Sequence, residues 1–355
     1  MITVTSQIPT PKSALIAMSG GVDSTVAALL MLRDGVDCAG ATMKVFPGSE
    51  KTVADALNTA KQLNIPFHVF DFIDFFAKNV IKPFITDYRE GRTPNPCVVC
   101  NKMLKFGRFI DEASGLEKDC IVTGHYVQAE QNVNGRYLLK KGTDISKDQS
   151  YVLYSLKQEQ LARVRFPLGR FTKAQVREIA IEEGFENANK SESQDICFIP
   201  DGDYFDFIRK YTGETPEKGR FIDINGNDLG ENNGVSSYTI GQRRGLGLSM
   251  PHPPYVIELR PEDNTVVVGK EEMLYSKSLE AEDINLIPVD KLDAPIRAQV
   301  KIRYSDPSHP AVVHQISDNK LHIEFDEAKR AITKGQAAVI YDGDIVIGGG
   351  TIVRG

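Results

Sequence analysis

The stretch "ALIAMSGGVDSTVAALL", residues 14–30, constrains the fold most strongly. An apolar run, a Gly-Gly pair and then apolar residues at helical spacing up to Gly35 read as strand, tight turn and helix. A glycine-bearing turn that opens a helix aims backbone N–H groups at an anion, and Ser19, Ser24 and Thr25 add hydroxyls. The loop has neither the Gly-Lys-Ser/Thr of a P-loop nor a G-x-G-x-x-G. For a bare Gly-Gly pair, a turn capped by Asp23 or Ser24 is the structural alternative.

The same alternation recurs. "CAGATMKVF" precedes "KTVADALNTAKQLN", "PFHVFDF" precedes "DFFAKNVIKPFITDYREG", and "CIVTGHY" follows "NKMLKFGRFIDEASG". Strand and helix in alternation imply an α/β unit with a parallel sheet covered on both faces and ligands at the carboxyl ends of its strands. Residues 19–24 and 123–126 then share one rim. Beyond about Ile208, Gly, Asn and Asp turns separate short β-branched runs such as "PYVIEL", "NTVVVG", "AQVKIRY" and "KLHIEF", the pattern of antiparallel sheets or a small barrel. The expected division is 1–205, 206–275 and 276–355. The polar connection 127–150 is expected to order only on a partner.

At 355 residues the chain exceeds one ordinary core. No apolar run is long enough to span a bilayer, and "MITVTSQIPTPKSALIAMSG" lacks the layout of a secretion signal, so a cytoplasmic protein without membrane association is expected. Five cysteines argue against a secreted disulfide framework; Cys38 and Cys120 open strand-like runs and read as buried thiols. A net charge of −6 works against general nucleic-acid affinity but leaves room for a local basic track.

"RTPNPCVVCNKMLKFGRF", residues 92–109, places Cys97 and Cys100 in a C-x-x-C spacing that serves zinc, iron–sulfur, dithiol and catalytic-thiol sites alike. The prolines disfavour helix up to Pro96, so a helix is expected to start near Cys100 or Asn101. A thiol at that start, followed by Lys102 and Lys105, should have a depressed pKa. In "NKSESQDICFIPDGDYFDFI", polar Ser193, Gln194 and Asp195 lead into Cys197, which alone reads as a small buried residue. With no fourth Cys or His at ligand spacing, zinc is disfavoured.

The complete S-G-G-x-D-S resembles the pyrophosphate (PP) loop of the ATP pyrophosphatase superfamily, whose fold is adenine nucleotide alpha hydrolase-like and whose members adenylate an oxygen of their substrate. Taken in order, "SGGVDS", "TPNPCVVCNKMLKFG", "TGHY", "KDQSYVL", "FPLGRFTKAQVREIA", "SQDICFI", "GDYFDFI", "YTIGQRRGLG", "VKIRY" and "YDGDIVIGGG" are similar to the landmarks of the tRNA-specific 2-thiouridylases, from about residue 13 to the C-terminus.

That resemblance implies a catalytic domain over 1–205, a small central tRNA-binding domain over 206–275 and a β-barrel-like tRNA-binding domain over 276–355. It implies ATP-dependent 2-thiolation of the wobble uridine of tRNAs for Lys, Glu and Gln, with a persulfide on Cys197 and Cys100 as the partner thiol, the two forming a transient disulfide. Ala17, Met18, Ser19, Gly20, Gly21, Val22, Asp23 and Ser24, with Met43 and Gly124, would bind ATP, Asp23 serving Mg2+ or loop geometry. Asn95, Pro96 and Cys97 would face the target base, and His125, Lys147, Asp148, Gln149, Arg303, Tyr304 and Gln336 would contact tRNA. A persulfide-carrying sulfur-donor protein is the second implied partner.

The chain departs from the pattern at two positions: Cys97 stands where relatives often have Asp, and Asn232 where they often have His. The first departure creates a three-thiol set, Cys97, Cys100 and Cys197, able in principle to ligate a [4Fe-4S] cluster. A non-thiolating tRNA-binding paralogue and an adenylating ligase for a small carboxylate are the competing classes.

Overall fold

The computed structural model describes residues 4–190 and 196–355, so Ser193, Gln194 and Asp195 lie outside the described residues. The first part of the chain carries the strands β1 (Val4–Gln7), β2 (Ser13–Ala17), β3 (Asp37–Lys44), β4 (Phe67–Asp71), β5 (Cys120–Val122), β6 (Val127–Asn132), β7 (Tyr137–Lys141) and β8 (Val164–Arg165). A parallel sheet runs in the order β4-β3-β2-β5-β8. Ala14, Leu15 and Ile16 are fully buried, which is why β2 is an unbroken apolar run: helices cover both faces. From β2 the chain winds outward to β3 and β4, then returns to β5 on the other side. The order therefore reverses between β2 and β5, and the loops after these two strands flank the crevice where such sheets bind ligands.

The connection 127–150, expected to order only on a partner, is already ordered. β6 and β7 form a hairpin from Val127↔Lys141 to Gln131↔Tyr137, with Leu138 and Leu139 fully buried. The apolar run "YLL" is the strand signal, short and set among polar residues.

The middle of the chain forms β9 (Gly219–Ile222), β10 (Asp228–Asn232), β11 (Tyr255–Arg260) and β12 (Thr265–Gly269), ordered β10-β9-β12-β11 over a small core of Phe221, Tyr238, Val256, Val266 and Val268. Asn232 is buried there, its Oδ1 accepting the N–H of Gly219 at 3.2 Å and of Gly234 at 2.7 Å. Its role is to hold a turn.

The remaining strands are β13 (Tyr275–Leu286), β14 (Ile296–Lys301), β15 (His309–Ser317), β16 (Lys320–Arg330), β17 (Ala337–Asp342) and β18 (Ile345–Arg354). Pairing around the ring β18-β13-β16-β15-β14-β17 returns to β18, closing a barrel without free edges. Ile345 also pairs with Lys140, tying the barrel to the β6–β7 hairpin. Val339, Tyr341 and Val346 from the barrel share one apolar core with Leu139, Tyr151 and Leu153, so burial seats the barrel against the parallel-sheet unit.

Candidate functional site

The loop after β2 is built from backbone. Gly20 has φ +70°, and a Cβ there would stand 2.6 Å from Cβ of Asp55, so only glycine fits. Gly21 caps the helix Val22–Arg33 without a side chain, which leaves that first turn uncapped by any hydroxyl or carboxylate and suited to an anion. The Ser24 hydroxyl donates to the Gly21 carbonyl at 3.0 Å and accepts the Ser19 N–H at 3.2 Å; Thr25 Oγ1 donates to the same carbonyl at 3.1 Å. Met18 is held from β3 on both sides, its N–H on Ala41 O and its carbonyl on the Thr42 hydroxyl.

Neighbouring segments reinforce the loop. Asn187 Nδ2 donates to Thr25 Oγ1 at 2.8 Å and to Gly20 O at 3.3 Å, and Lys190 Nζ reaches Gly20 O at 3.3 Å while pairing with Asp55 at 2.7 Å. Asp23, assigned from the sequence to Mg2+ or to loop geometry, accepts Lys173 Nζ at 2.7 and 2.8 Å and the Tyr126 hydroxyl at 2.7 Å. Gly124, beyond β5, comes so close that a Cβ would lie 2.8 Å from the Asp23 carbonyl carbon and 3.0 Å from Ser24 N. Met43 lies half-buried on β3. Sequence reading missed Lys173, Asn187 and Lys190. Lys173 was legible only as part of "FPLGRFTKAQVREIA", with nothing in its spacing to tie it to Asp23.

The cysteine segment departs from expectation in two ways. The helix begins at Pro96 rather than near Cys100: Asn95 is the N-cap, its Oδ1 accepting the Cys97 N–H at 3.1 Å, and proline takes the first helical position, where its missing N–H costs nothing. Pro96–Cys100 continues through a π-helical stretch, Asn101–Arg108, into Phe109–Gly115. The Cys100 thiol is also not depressed. Burial pushes it up to about 12, and the nearby positive charge of Lys105 only partly opposes this. With the helix start four residues earlier, Cys100 lies at the end of the first turn, beyond the strongest part of the dipole.

Cys97 and Cys197 keep contact with solvent but stand among enough protein that desolvation raises both thiols, Lys105 again opposing. A Cys97 thiolate would raise the Cys197 pKa, and both would act on Cys100 in the same way, so the three sulfurs form one electrostatic group. Phe198 anchors Cys197, its ring edge-on to Phe76 at 5.6 Å and to Phe84 at 5.5 Å. All three thiols are free. Among the described residues, no set of three Cys, His, Asp or Glu is placed to hold a metal ion, so the thiols do not converge as cluster ligands in this conformation. Cys38 and Cys120 are buried, each pushed up to about 11 by burial.

Most residues assigned to tRNA have internal partners. His125 is buried rather than exposed, its Nδ1 at 2.8 Å from the Thr123 hydroxyl and its ring beside Phe106 and Phe166; burial lowers its pKa well below 6.5 and keeps it neutral. Asp148 accepts from Gly142 N, Ser150 N and Ser150 Oγ; Gln149 Oε1 accepts the Tyr126 N–H at 3.0 Å; Arg303 donates to Ala331 O and Thr333 Oγ1; Gln336 donates to Thr93 O. Lys147 is half-buried on the turn before Asp148. Tyr304 remains 44% exposed while its hydroxyl donates to Asp148 O at 3.3 Å. Burial, then Asp148 and Cys97, raise that hydroxyl's pKa. No helix among the described residues is long and apolar enough to cross a membrane.

Comparison with known proteins matches the whole architecture. Residues 12–201 match the family model described as the tRNA methyl transferase HUP domain, 205–270 the tRNA methyl transferase PRC-barrel domain and 276–352 the aminomethyltransferase beta-barrel domain. The chain is 46% identical to the tRNA-specific 2-thiouridylase MnmA of Clostridioides difficile (strain 630), over 97% of this chain and 98% of the relative. It is 45% identical to the protein of that name from Acetivibrio thermocellus, over 96% of this chain and 99% of the relative. With the one from Halothermothrix orenii it shares 44% identity, over 95% and 98% of the two chains.

Proposed function

The chain belongs to the tRNA-specific 2-thiouridylase family, and from that premise we propose that it uses ATP to replace the C2 oxygen of the wobble uridine of tRNA with sulfur. The observation that carries this reading is the backbone approach of Gly124 to Asp23 and Ser24, which builds an anion-binding loop at the reversal point of the sheet, in the same fold as an electrostatically linked set of free thiols. The loop would hold the ATP phosphates. The C2 oxygen attacks the α-phosphorus, pyrophosphate leaves, and the uridine carries AMP as a good leaving group.

Sulfur then arrives as a persulfide on Cys197, loaded by a donor protein. Its terminal sulfur attacks C2 and expels AMP. The Cys100 thiolate attacks Sγ of Cys197, forming a Cys100–Cys197 disulfide and leaving sulfur on C2; an external dithiol reduces the disulfide for the next cycle. Cys197 is exposed and free, as a loading thiol must be, while Cys100 is more enclosed. Mg2+ would accompany ATP, with Asp23 the carboxylate of the loop. A cluster route finds no converged ligand set, and no step is assigned to it.

Reconstitution tests the reading. Purified protein, ATP, Mg2+, unmodified tRNA and a persulfide donor are expected to yield 2-thiouridine at the wobble position with one AMP and one pyrophosphate released per sulfur inserted. Tight tRNA binding without AMP release would favour a non-thiolating RNA-binding protein.

A further inference from the structure

Three parts of the chain meet on residues 91–93, immediately before the cysteine helix. Gly91 lies against the central sheet, where a Cβ on it would stand 3.1 Å from Pro261 Cγ and 3.2 Å from Leu259 Cβ. Arg92 turns back to its own unit, pairing with Asp87 and Glu90, while its N–H donates to Asp87 O at 2.8 Å. Thr93 is held by the barrel at both of its backbone groups. Its N–H donates to Lys334 O at 2.8 Å, and its carbonyl accepts Gln336 Nε2 at 2.8 Å. Between these two bonds lies Gly335, with φ +89°, where a Cβ would come 3.0 Å from Thr93 N.

The barrel turn that makes these bonds is itself fixed. The Gly335 N–H donates to Ile352 O at 2.9 Å, and the Ile352 N–H donates to Gln336 O at 2.8 Å, so the turn is stitched to β18. On the other side, the chain from Thr93 to Cys97 reads Thr-Pro-Asn-Pro-Cys. Each proline fixes its own φ and confines the residue before it to extended backbone, so few soft dihedrals lie between Thr93 and the Asn95 cap. A shift of Thr93 is therefore passed on to Asn95 and Cys97 rather than absorbed in the linker.

We propose that the barrel turn 333–336 is a positioning clamp for the cysteine helix: Gln336 and Gly335 hold Thr93, and through the stiff Pro94–Pro96 linker they set where Cys97 and Cys100 stand. Any movement of the barrel on its partner then reaches the thiols directly. The inference rests on the thiolation reading for its kinetic readout but not for its structural one.

Gln336→Ala and Gln336→Glu both remove the donor, and Gly335→Ala introduces a Cβ against Thr93. In single-turnover thiolation at saturating tRNA, each is expected to slow the reaction about tenfold to a hundredfold, the effect of misplacing a reacting group by about 1 Å. For Gly335→Ala, which removes no side-chain donor, the tRNA Kd by filter binding should stay within about twofold of wild type. An unchanged single-turnover rate at saturating tRNA would overturn the clamp, whether or not tRNA binding weakens. Maleimide labelling of Cys97 in tRNA-free protein, read by peptide mass spectrometry, should become several-fold faster in all three variants. Unchanged labelling would overturn the clamp even if wild-type protein proved not to thiolate, so the two readings fail separately.

Discussion

Lys173 Nζ sits 2.7 and 2.8 Å from the two carboxylate oxygens of Asp23, bridging the helix Lys173–Glu182 to the first turn of the helix Val22–Arg33. The lysine side chain is nearly buried, whereas Asp23 keeps about a third of its surface in water, so the pair is only partly desolvated. Lys173→Met leaves the Asp23 carboxylate with the Tyr126 hydroxyl as its remaining side-chain donor in this arrangement. The expected cost is ~1–2 kcal/mol, below that of breaking a fully buried pair, and urea denaturation would measure it. Because Asp23 orders the loop, the KM for ATP should rise as well; an unchanged KM would separate the ion pair from nucleotide binding.

The Cys100 thiol has a second measurable consequence. Its pKa is raised by burial to about 12 from an ordinary 9.0, so the folded state holds the proton more tightly than the unfolded chain does. The stability this contributes is complete below pH 9.0 and is lost as pH rises toward about 12. Reactivity follows the same sign. In tRNA-free protein carrying Cys97→Ser, alkylation of Cys100 by iodoacetamide should climb about tenfold per pH unit from 7 through 9, because only the thiolate reacts. A plateau below pH 8 would show a thiol already activated in the free enzyme.

Where the sequence was legible, one physical constraint dominated each signal. The apolar run of β2 and the glycines after it announce a buried parallel strand and a glycine turn opening a helix, and both are present. Short β-branched runs such as "KLHIEF" announced strands, because alternation survives when one face is buried. The cysteine helix starts earlier than the prolines suggest, because Asn95 caps it and Pro96 takes its first position rather than breaking it. The Cys100 pKa is not legible in the sequence, which shows the charges near along the chain, whereas the shift comes from burial in the fold. Lys173 to Asp23 and Gln336 to Thr93 span separations that no local pattern encodes.

Gly124 offers the sharpest test of the loop itself. A methyl group there would meet the Asp23 carbonyl carbon at 2.8 Å and Ser24 N at 3.0 Å, both backbone atoms that cannot move aside cheaply. Gly124→Ala should therefore shift the loop and weaken ATP binding by more than about tenfold, roughly the 1.4 kcal/mol that overpacking readily costs. Calorimetric titration with a non-hydrolysable ATP analogue would measure this. Retained affinity would mean that the nucleotide phosphates lie elsewhere.

In the proposed relay the three thiols would carry separable roles. Cys197→Ser removes the exposed loading thiol, and Cys100→Ser the enclosed one, so each is expected to abolish thiolation while tRNA affinity stays within about twofold. Cys97→Ser is the discriminating change. In the persulfide route Cys97 forms no covalent intermediate, and its substitution should cost less than about tenfold in rate. In a cluster route it would be an indispensable third ligand, and its loss would be as severe as that of Cys100. Protein purified without oxygen, assayed for iron and acid-labile sulfide alongside this variant, decides between them. Activity in iron-free protein together with a tolerant Cys97→Ser supports the relay. A silent Cys97→Ser with stoichiometric iron in the wild type would require the described thiols to converge from the arrangement seen here, and would overturn the relay.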